Sequence, residues 1–409
     1  MRSAAAQCSG PVRLGTGVSV AAWRLGAIRF VSATSGVGLT APQVPCARSL
    51  GPGQGTEVSF RPEPVRLAVT DDGGRQWVTR GGTLPGTPQS PVLDQVAAVS
   101  GADVWVVSDT GVLLATRDYG ASWAAQPLPV PVMAAASAGG WLWAASCPAV
   151  SGNLCRPVVE RMRLPGGTWT RAPLPAPAQV VGVQLAVLSG YAAVVVMTGP
   201  QPALLDTTDG GAHWSARTAP DGPPFRCGFG LAGSFTAAGL DDWWLLCPGG
   251  AAAGSSTKAL WRSRDAGRTW TLVSAITSLG GPRQAGALPY QDGAVIAAAA
   301  PDRLWIVTPN TMSVSTDGGA FWSMILVNAQ GAIGQFDVLS GTVAWLLGPG
   351  TGLWQTTNGI TWHPIGGTGP LARARLAGIA VNWPTDPPLR ALIRSASKRP
   401  ESPYDRNAW

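Results

Sequence analysis

The chain has 409 residues, of which 45% are hydrophobic and only 12% are charged, about half the charged fraction of roughly 25% in ordinary soluble domains. Its 53 glycines, 36 prolines and 19 tryptophans argue against long charged surface helices and against intrinsic disorder, because disordered chains lack aromatic and apolar residues. The formal net charge of +7 comes almost wholly from arginine and is not concentrated in a basic stripe, so we expect no nucleic-acid partner.

The N-terminal segment, residues 1–27, begins MRSAAAQCSG and lacks the apolar core of roughly 7–15 residues that a signal peptide needs. A start codon placed too far downstream would explain this. We expect at most one closing strand in this segment, near VSVAAW. The body of the protein is expected to cover residues 28–383.

An eight-residue motif recurs through the body. TDDGGRQW, TRDYGASW, TTDGGAHW, SRDAGRTW and STDGGAFW all fit the pattern S/T-x-D-x-G-x-x-W. A shorter copy, TTNGITW, has Asn358 in place of the aspartate, and a degenerate copy, LPGGTW, keeps only Gly166 and Trp169. The final tryptophans recur about every 40 to 56 residues, at Trp77, Trp123, Trp169, Trp214, Trp270, Trp322 and Trp362.

A second repeat precedes each copy of the motif. It is an apolar run, a turn and a strand that often holds an aromatic residue, as in VAAVSGADVWVV, AAGLDDWWLL and DVLSGTVAWLL. Each unit therefore contains four strands in about 45 residues, and it occurs seven times. Four-stranded units of this length are typical of propeller blades. The sequence predicts an all-β fold, a single seven-bladed β-propeller of four-stranded antiparallel blades.

The stretch from 172 to 205 carries almost no charge and is long enough for a membrane helix by hydropathy alone. Its SGY turn, however, stands where SGADVW and SGTVAW stand in other units, and its valines favour strands. We therefore predict strand, turn and strand of the fourth blade and no membrane span. Residues 371–383 could pair back onto the first blade, and 384–409 are expected to form a disordered tail rich in proline, arginine and serine.

The chain has six cysteines, an even number, and its sequence contains no CxxC motif. Their spacing suggests the local pairs Cys147 with Cys155, Cys227 with Cys247, and Cys8 with Cys46, which would place the protein in an oxidising compartment. Six buried thiols are the alternative. Only two histidines are present, His213 and His363, so we expect no metal site and no cofactor.

Each residue of the motif has a structural role. The glycine at the fifth position can adopt a positive φ angle without a Cβ clash. The aspartate can accept hydrogen bonds from the backbone of the turn, and the hydroxyl can bond locally in the same way. The tryptophan can bury its indole at the start of the next strand. The residues with these roles are Asp72, Gly74, Trp77, Asp118, Gly120, Trp123, Asp209, Gly211, Trp214, Asp265, Gly267, Trp270, Asp317, Gly319, Trp322, Gly359 and Trp362.

The motif resembles the Asp-box, or bacterial neuraminidase repeat. That resemblance implies that the boxes lie on outer hairpins away from the central channel, so that their aspartates are not catalytic and His213 is a surface residue. The single ring of seven blades, with FVSATSGVG at its start, is similar to the photosystem II stability and assembly factor-like family and, more distantly, to the sialidase superfamily. The first similarity implies an exported or lumenal, non-enzymatic scaffold that binds a protein partner. For this chain we expect the partner to be another protein or a surface glycan.

Two enzymatic alternatives remain open. A sialidase-like hydrolase would use Arg61, in FRP, to bind a substrate carboxylate, with Tyr191 or Tyr290 and Glu63 or Glu160 as the nucleophile pair. A hydrolase with paired carboxylates could draw on acids outside the boxes, but their recurrence in the turn before the aromatic strand favours a turn role; they are Asp103, Asp241, Asp242 and Asp302. A cluster of Arg156, Arg161, Arg163 and Arg171 is either a solvated strand face or a patch that binds phosphate or nucleic acid, and we favour the strand face.

Overall fold

The computed structural model is a closed ring of seven antiparallel sheets, which confirms the predicted fold class. It describes residues 17, 19–40, 43–49, 56–85, 96–108, 110–152, 154–175, 179–199, 202–222, 225–226, 234–252, 254–278, 286–291, 293–308, 311–327, 335–348 and 352–366. Each blade has four strands in chain order, here called the inner, second, third and outer strands, and the sheet of blade 1 has one strand more.

The first four blades begin at Leu25. Their strands, from inner to outer, are Leu25–Phe30, Gly36–Thr40, Arg66–Thr70 and Trp77–Thr83 in blade 1; Val96–Ala98, Val104–Val107, Leu113–Thr116 and Ala124–Ala125 in blade 2; Val132–Ala138, Trp141–Ser146, Val158–Arg163 and Thr170–Ala172 in blade 3; and Gly182–Val187, Ala193–Thr198, Ala203–Thr207 and Ser215–Arg217 in blade 4.

The last three blades complete the ring. Their strands, in the same order, are Ser234–Ala237, Trp243–Ala252, Ser255–Ser263 and Thr271–Ile276 in blade 5; Val295–Ala298, Leu304–Val307, Thr311–Ser315 and Ser323–Val327 in blade 6; and Gln335–Val338, Ala344–Gly348, Gly352–Thr356 and His363–Ile365 in blade 7.

Three short hairpins lie outside the blades. Gln43–Ser49 pairs with Thr56–Pro62 between the second and third strands of blade 1, and Ala149–Ser151 pairs with Leu154–Cys155 at the same place in blade 3. Asp221–Gly222 pairs with Phe225–Arg226 between blades 4 and 5. Because neighbouring strands run antiparallel, all three lie at the end of the blades opposite the Asp-box turns. We call the two ends the box end and the hairpin end.

Seven hydrophobic clusters fill the spaces between neighbouring blades, one at each junction of the described ring. Second-strand tryptophans face the next blade and are almost fully buried: Trp105, Trp143, Trp244, Trp305 and Trp345. The box tryptophans lie in the cluster shared with the preceding blade. Trp143 of blade 3 meets Trp214 of blade 4 edge to face, with ring centroids 6.5 Å apart. Both tryptophan repeats therefore belong to the packing between blades.

Blades 7 and 1 meet through side chains, and among the described residues no strand of one blade pairs with a strand of the other. Phe30 stacks on Trp345 with ring centroids 3.6 Å apart. The buried Asp337 accepts a hydrogen bond from the backbone N–H of Phe30 at 2.5 Å and pairs with Arg29 at 2.8 Å. Burial raises the pKa of Asp337, and the charge of Arg29 opposes that rise.

The N-terminal segment contributes to blade 1 and to the same junction. Ser19–Val20 adds a fifth strand to the outer edge of blade 1, antiparallel to Trp77 and Val78. A 3-10 turn, Ala22–Arg24, follows, and Ala22 lies in the cluster shared with blade 7. The possible pairing of residues 371–383, and the tail 384–409, lie outside the described residues.

The apolar segment between 172 and 205 forms strands. Gly182–Val187 and Ala193–Thr198 are the inner and second strands of blade 4, paired antiparallel around the SGY turn. Throughout the part of the chain that the structure describes, no helix has the length and apolar character needed to cross a membrane.

Candidate functional site

The five complete Asp-box turns share one hydrogen-bond circuit. The Ser or Thr hydroxyl donates to the aspartate Oδ1 at 2.8–2.9 Å and accepts the N–H of the fifth-position glycine at 2.7–3.0 Å. The same Oδ1 accepts the N–H of the seventh residue at 2.8–3.0 Å. The polar side chains of the motif therefore form their hydrogen bonds within their own turn.

These hydrogen bonds keep the carboxylates ionised. The hydroxyl and backbone N–H of Ser122 lower the pKa of Asp118 to about 2, and those of Thr269 do the same for Asp265. The pKa of Asp209 is lowered further, first by the backbone N–H of His213 and then by its ring. A general acid must hold a proton near neutral pH, so these carboxyls are unsuited to that role.

In the two remaining complete boxes, partial burial works against this effect. Burial alone would raise the pKa of Asp72 and of Asp317, and it is the largest single influence on each. Hydrogen bonds from Gln76 and Thr70 outweigh it in the first box, and those from Phe321 and Ser315 do so in the second. Both pKa values therefore end below the usual range.

Positive φ angles occur at two positions of the turn. The fifth-position glycines have φ between +74° and +104°, as the sequence argument requires: Gly74, Gly120, Gly211, Gly267, Gly319 and, in the shorter copy, Gly359. The fourth position is also left-handed, and the sequence argument missed it. Three boxes place glycine there, whereas Tyr119 (φ 59°) and Ala266 (φ 56°) adopt the same conformation at a cost of about 1–2 kcal/mol.

The two atypical turns differ in how they are held. In blade 7, Asn358 takes over from the aspartate, and its Oδ1 accepts the N–H of Thr361 at 2.8 Å. In blade 3, Met162 stands at the capping position and Arg163 follows it at the end of the third strand. There the N–H groups of Gly166 and Gly167 donate to the Arg163 carbonyl at 3.2 and 2.7 Å. The blade 3 turn is closed by its backbone.

His213 lies on the surface, with its side chain 90% exposed. Its Nδ1 is 2.6 Å from Asp209 Oδ2, and its backbone N–H donates to Oδ1 of the same carboxylate. The contacts of the histidine are thus made with the aspartate of its own box.

The boxes also connect neighbouring blades, a role that the sequence argument missed. The indole N–H groups of Trp244, Trp305 and Trp345 donate to box carbonyls of the following blade, at Gly318 (3.2 Å), Gly359 (3.1 Å) and Gly73 (3.0 Å). The recurring tryptophan in the second strand, set against a glycine in the next box, is the sequence signal that could have indicated these contacts.

The residues considered for a sialidase-like centre lie on different parts of the ring. Arg61 belongs to the inserted hairpin of blade 1, where its backbone pairs with Val44; its side chain is outside what the structure describes. Glu63 forms an ion pair with Arg24. Tyr191 is in the box-end turn of blade 4, and Glu160 is in the third strand of blade 3 opposite Arg171. Burial raises the pKa of Glu160, and Arg171 opposes this.

Acids outside the boxes serve local contacts. Asp103 accepts a hydrogen bond from the Ser100 hydroxyl at 2.9 Å within its turn. Asp242 pairs with Arg262 at 2.8 Å, and the Arg262 guanidinium lies 4.7 Å from the ring centroid of Trp244. The Asp302 carbonyl accepts the N–H of Gly318 in the box of its own blade.

One group of polar and aromatic residues gathers at the box end of blades 2 to 4. The Arg161 guanidinium lies 4.4 Å from the ring centroid of Trp141 and 5.5 Å from that of Tyr191. Arg163 pairs across the strands with Trp141, and Arg117 of blade 2 lines the same shallow pocket as Arg163. Of the predicted arginine cluster, Arg161 and Arg163 belong to this surface.

Cys147 and Cys155 are joined by a disulfide that closes the inserted hairpin of blade 3, with their Cα atoms 5.1 Å apart. Cys247 is also disulfide-bonded. Its expected partner Cys227, and Cys8, lie outside the described residues. No free cysteine is present in the part of the chain that the structure describes.

No protein-family model matches the chain, and no curated protein matches it. Among solved structures, it is similar to YCF48 bound to D1 peptide (14% identity, 87% of this chain, 96% of that chain, TM-score 0.47). It is similar to YCF48 from Cyanidioschyzon merolae (14% identity, 78% and 96%, TM-score 0.46). It is also similar to the GH74 xyloglucanase from Xanthomonas campestris (13% identity, 83% and 79%, TM-score 0.28).

Proposed function

We propose that this protein is a non-enzymatic binding scaffold, exported or on the cell surface, that holds another protein or a surface glycan. The observation that carries the proposal is the shared circuit of the Asp boxes. In all five complete copies, the carboxylate is bound within its own turn, so the repeated motif builds and fastens the ring. Binding then falls to the loops and surfaces that the ring displays.

Export is supported by the cysteines. The described chain contains the Cys147–Cys155 disulfide and a bonded Cys247. Disulfides persist in oxidising compartments and are rare in the cytosol. Non-reducing mass spectrometry of protein from the native host should find both bonds formed. Free thiols at these positions would contradict export.

The binding function is tested with the full chain as bait on cell-surface and exported fractions of its host. A candidate protein identified in this way is purified, and its affinity is measured by calorimetry. We expect a saturable complex of defined stoichiometry. Failure of every purified candidate to bind would contradict the protein-scaffold proposal.

The enzymatic alternative is tested separately with a fluorogenic sialoside. We expect no turnover by the wild-type protein. Turnover that disappears in Arg61→Ala and persists in Arg48→Ala, a control on the same hairpin, would establish a sialidase-like hydrolase and overturn the non-enzymatic proposal.

A further inference from the structure

The box end of blades 2 to 4 carries three arginines with exposed or partly exposed side chains, Arg117, Arg161 and Arg163. In the part of the chain that the structure describes, none of the three forms an ion pair with a carboxylate. An Arg guanidinium offers five N–H donors in a planar fork that matches carboxylate and sulfate groups. This surface therefore presents donors that lack anionic partners.

Two box aspartates beside this surface form no ion pair with the arginines. Asp118 adjoins Arg117, but its Oδ1 accepts from Thr116 and Ser122 and its Oδ2 accepts from the Ser122 hydroxyl. Asp209 of the next blade is engaged in the same way by Thr207 and His213. Both carboxylates remain negatively charged, but they are hydrogen-bonded within their own turns and form no ion pair with these arginines.

Arg163 stands one residue after the capping position of blade 3, as Arg117 does in blade 2. The third strands of blades 2 and 4 end in Thr116 and Thr207, whose hydroxyls cap their turns. At this position blade 3 has Met162. The next residue, Arg163, closes the turn with its backbone carbonyl, and its side chain is exposed. Arg117 lies over that turn, because a Cβ added at Gly166 would be only 2.5 Å from Arg117 Nη1.

Aromatic rings lie beside the arginines. Arg161 and Arg163 are two residues apart on one strand and pair across the sheet with Trp143 and Trp141, so all four side chains share one face. Tyr191 is 55% exposed, and its ring centroid is 5.8 Å from that of Trp141. The surface thus combines guanidinium donors with an exposed ring face.

The backbone at this surface is already paired. The second and third strands of blade 3 each have a strand on both sides, and the turns are closed by their own hydrogen bonds. An extended peptide therefore cannot add as a strand to the two strands that carry Arg161, Arg163 and Trp141. A ligand here must bind through ring faces and anionic groups.

We propose that this surface binds an acidic polysaccharide whose pyranose rings carry carboxylate or sulfate groups. Arg117 and Arg163 hold successive anionic groups in the open pocket between them, and Arg161, fixed by Trp141, holds a third. The exposed face of Tyr191 packs against the apolar face of one sugar ring. This inference rests on the proposed scaffold function and assigns it a ligand class and a site.

The test measures binding of an end-labelled oligogalacturonate to the full chain by fluorescence anisotropy, with its methyl-esterified form as an uncharged probe of the same ring structure. We expect saturable binding of the acidic oligomer and at least about tenfold weaker binding of the ester. A sulfated dextran oligomer, measured in parallel, distinguishes sulfate from carboxylate as the preferred group. Absence of saturable binding by both acidic oligomers would overturn the proposal.

Two variants locate the site. The double substitution Arg117→Glu and Arg163→Glu should weaken binding at least about thirtyfold, because each reversal adds repulsion to the loss of a donor. Arg264→Glu is the matched control, since Arg264 is exposed at the same position of the blade 5 box as Arg117 in blade 2; its affinity should stay within about twofold of wild type. Equal losses in both would indicate non-specific attraction and refute the site.

Tyr191→Ala separates sugar recognition from simple charge attraction. We expect about fivefold weaker binding of the oligogalacturonate, the effect of losing one ring contact. Poly-glutamate is the comparison ligand. If it bound as tightly as the sugar and with no dependence on Tyr191, the surface would be a site for acidic peptides and the polysaccharide proposal would be wrong.

The same samples keep this proposal distinct from the scaffold function. A protein partner that binds wild type and the double arginine variant equally, with no sugar binding by either, would leave the scaffold intact and remove the polysaccharide site. Cleavage of the oligogalacturonate, seen as new reducing ends, would contradict the non-enzymatic proposal and retain the site. Matching melting midpoints of all variants confirm that they fold.

Discussion

The box turn of blade 4 and the corresponding turn of blade 3 join equivalent strands and lead to a half-buried tryptophan, yet they are held in different ways. In blade 4, Thr207 and Asp209 bind the turn with their side chains. In blade 3, two backbone hydrogen bonds to the carbonyl of Arg163 close it. Both tryptophans pack against the preceding blade. Packing between blades is therefore the constant feature, and the polar cap can be replaced.

The largest effect should come from the tryptophans. Trp214→Ala is expected to lower the free energy of unfolding by about 3 kcal/mol, because a large ring is removed from the contact with Trp143. Trp169→Ala should cost a similar amount despite the missing cap in blade 3. Chemical denaturation of both variants, with Trp214→Phe as a control that keeps a ring, tests this. A negligible loss in Trp169→Ala would show that blade 3 does not depend on its tryptophan.

The next effect should come from the cap itself. Thr207→Val removes the acceptor of the buried Gly211 N–H, and an unsatisfied buried donor costs about 2 kcal/mol. In blade 3, Arg163→Val should change stability by no more than about 0.5 kcal/mol, because the exposed side chain does not cap the turn. Denaturation midpoints of the two variants compare them directly. Equal losses would mean that the Arg163 side chain also holds its turn.

The fourth position of the box should show a smaller, opposite pair of effects. Gly210 has φ +79°, and a Cβ there would be 2.0 Å from Arg161 Nη1, so Gly210→Ala should destabilise by about 1–2 kcal/mol. Tyr119 adopts φ 59°. Tyr119→Gly should raise the free energy of unfolding by about 0.5 kcal/mol, because the relief of left-handed strain exceeds the extra conformational entropy that glycine loses on folding. Thermal melts measure both. Destabilisation in both variants would contradict strain at Tyr119.

The smallest effect should appear at acid pH. The pKa of Asp118 is about 2 in the folded protein, below the value of about 3.9 in unfolded chains. Near this pH the folded state binds fewer protons than the unfolded state. The contribution of Asp118 to the free energy of unfolding is therefore complete above about pH 4 and is lost as the pH falls towards 2. Asp118→Asn should flatten this part of the stability profile, whereas Arg163→Gln in the box-free turn should leave it unchanged. Identical profiles for wild type and Asp118→Asn would contradict the assignment.

Much of the fold could be predicted because the repeat is local. The tryptophan period and the strand, turn and strand pattern gave seven blades, including blade 4, whose apolar segment imitates a membrane helix, and blade 3, whose box is degenerate. The left-handed fourth position was missed, although Gly73, Gly210 and Gly318 signal it. The ring closure was also missed, since Phe30 and Trp345 stack across a separation of more than 300 residues that no local pattern reveals.

The candidate site was likewise predicted only in part from the sequence. The sequence singled out Arg161 and Arg163 as part of a cluster, but Arg117 and Tyr191 belong to other blades and lie far away in the chain. Their contact with blade 3 depends on the turns of neighbouring blades meeting at the box end, where a Cβ on Gly139 would lie 2.6 Å from the Gly190 backbone nitrogen. Proximity of this kind follows only from the arrangement of the ring.

The sequence by itself determined the repeated unit: four strands, a capped turn and two tryptophans, because hydrogen bonding within a turn and the alternation of strands act over a few residues. The tertiary structure alone decided which surfaces meet. Each blade buries its tryptophans only against a neighbour, and the ring must close, so the contacts at the junctions and the residues gathered at the box end depend on all seven blades together.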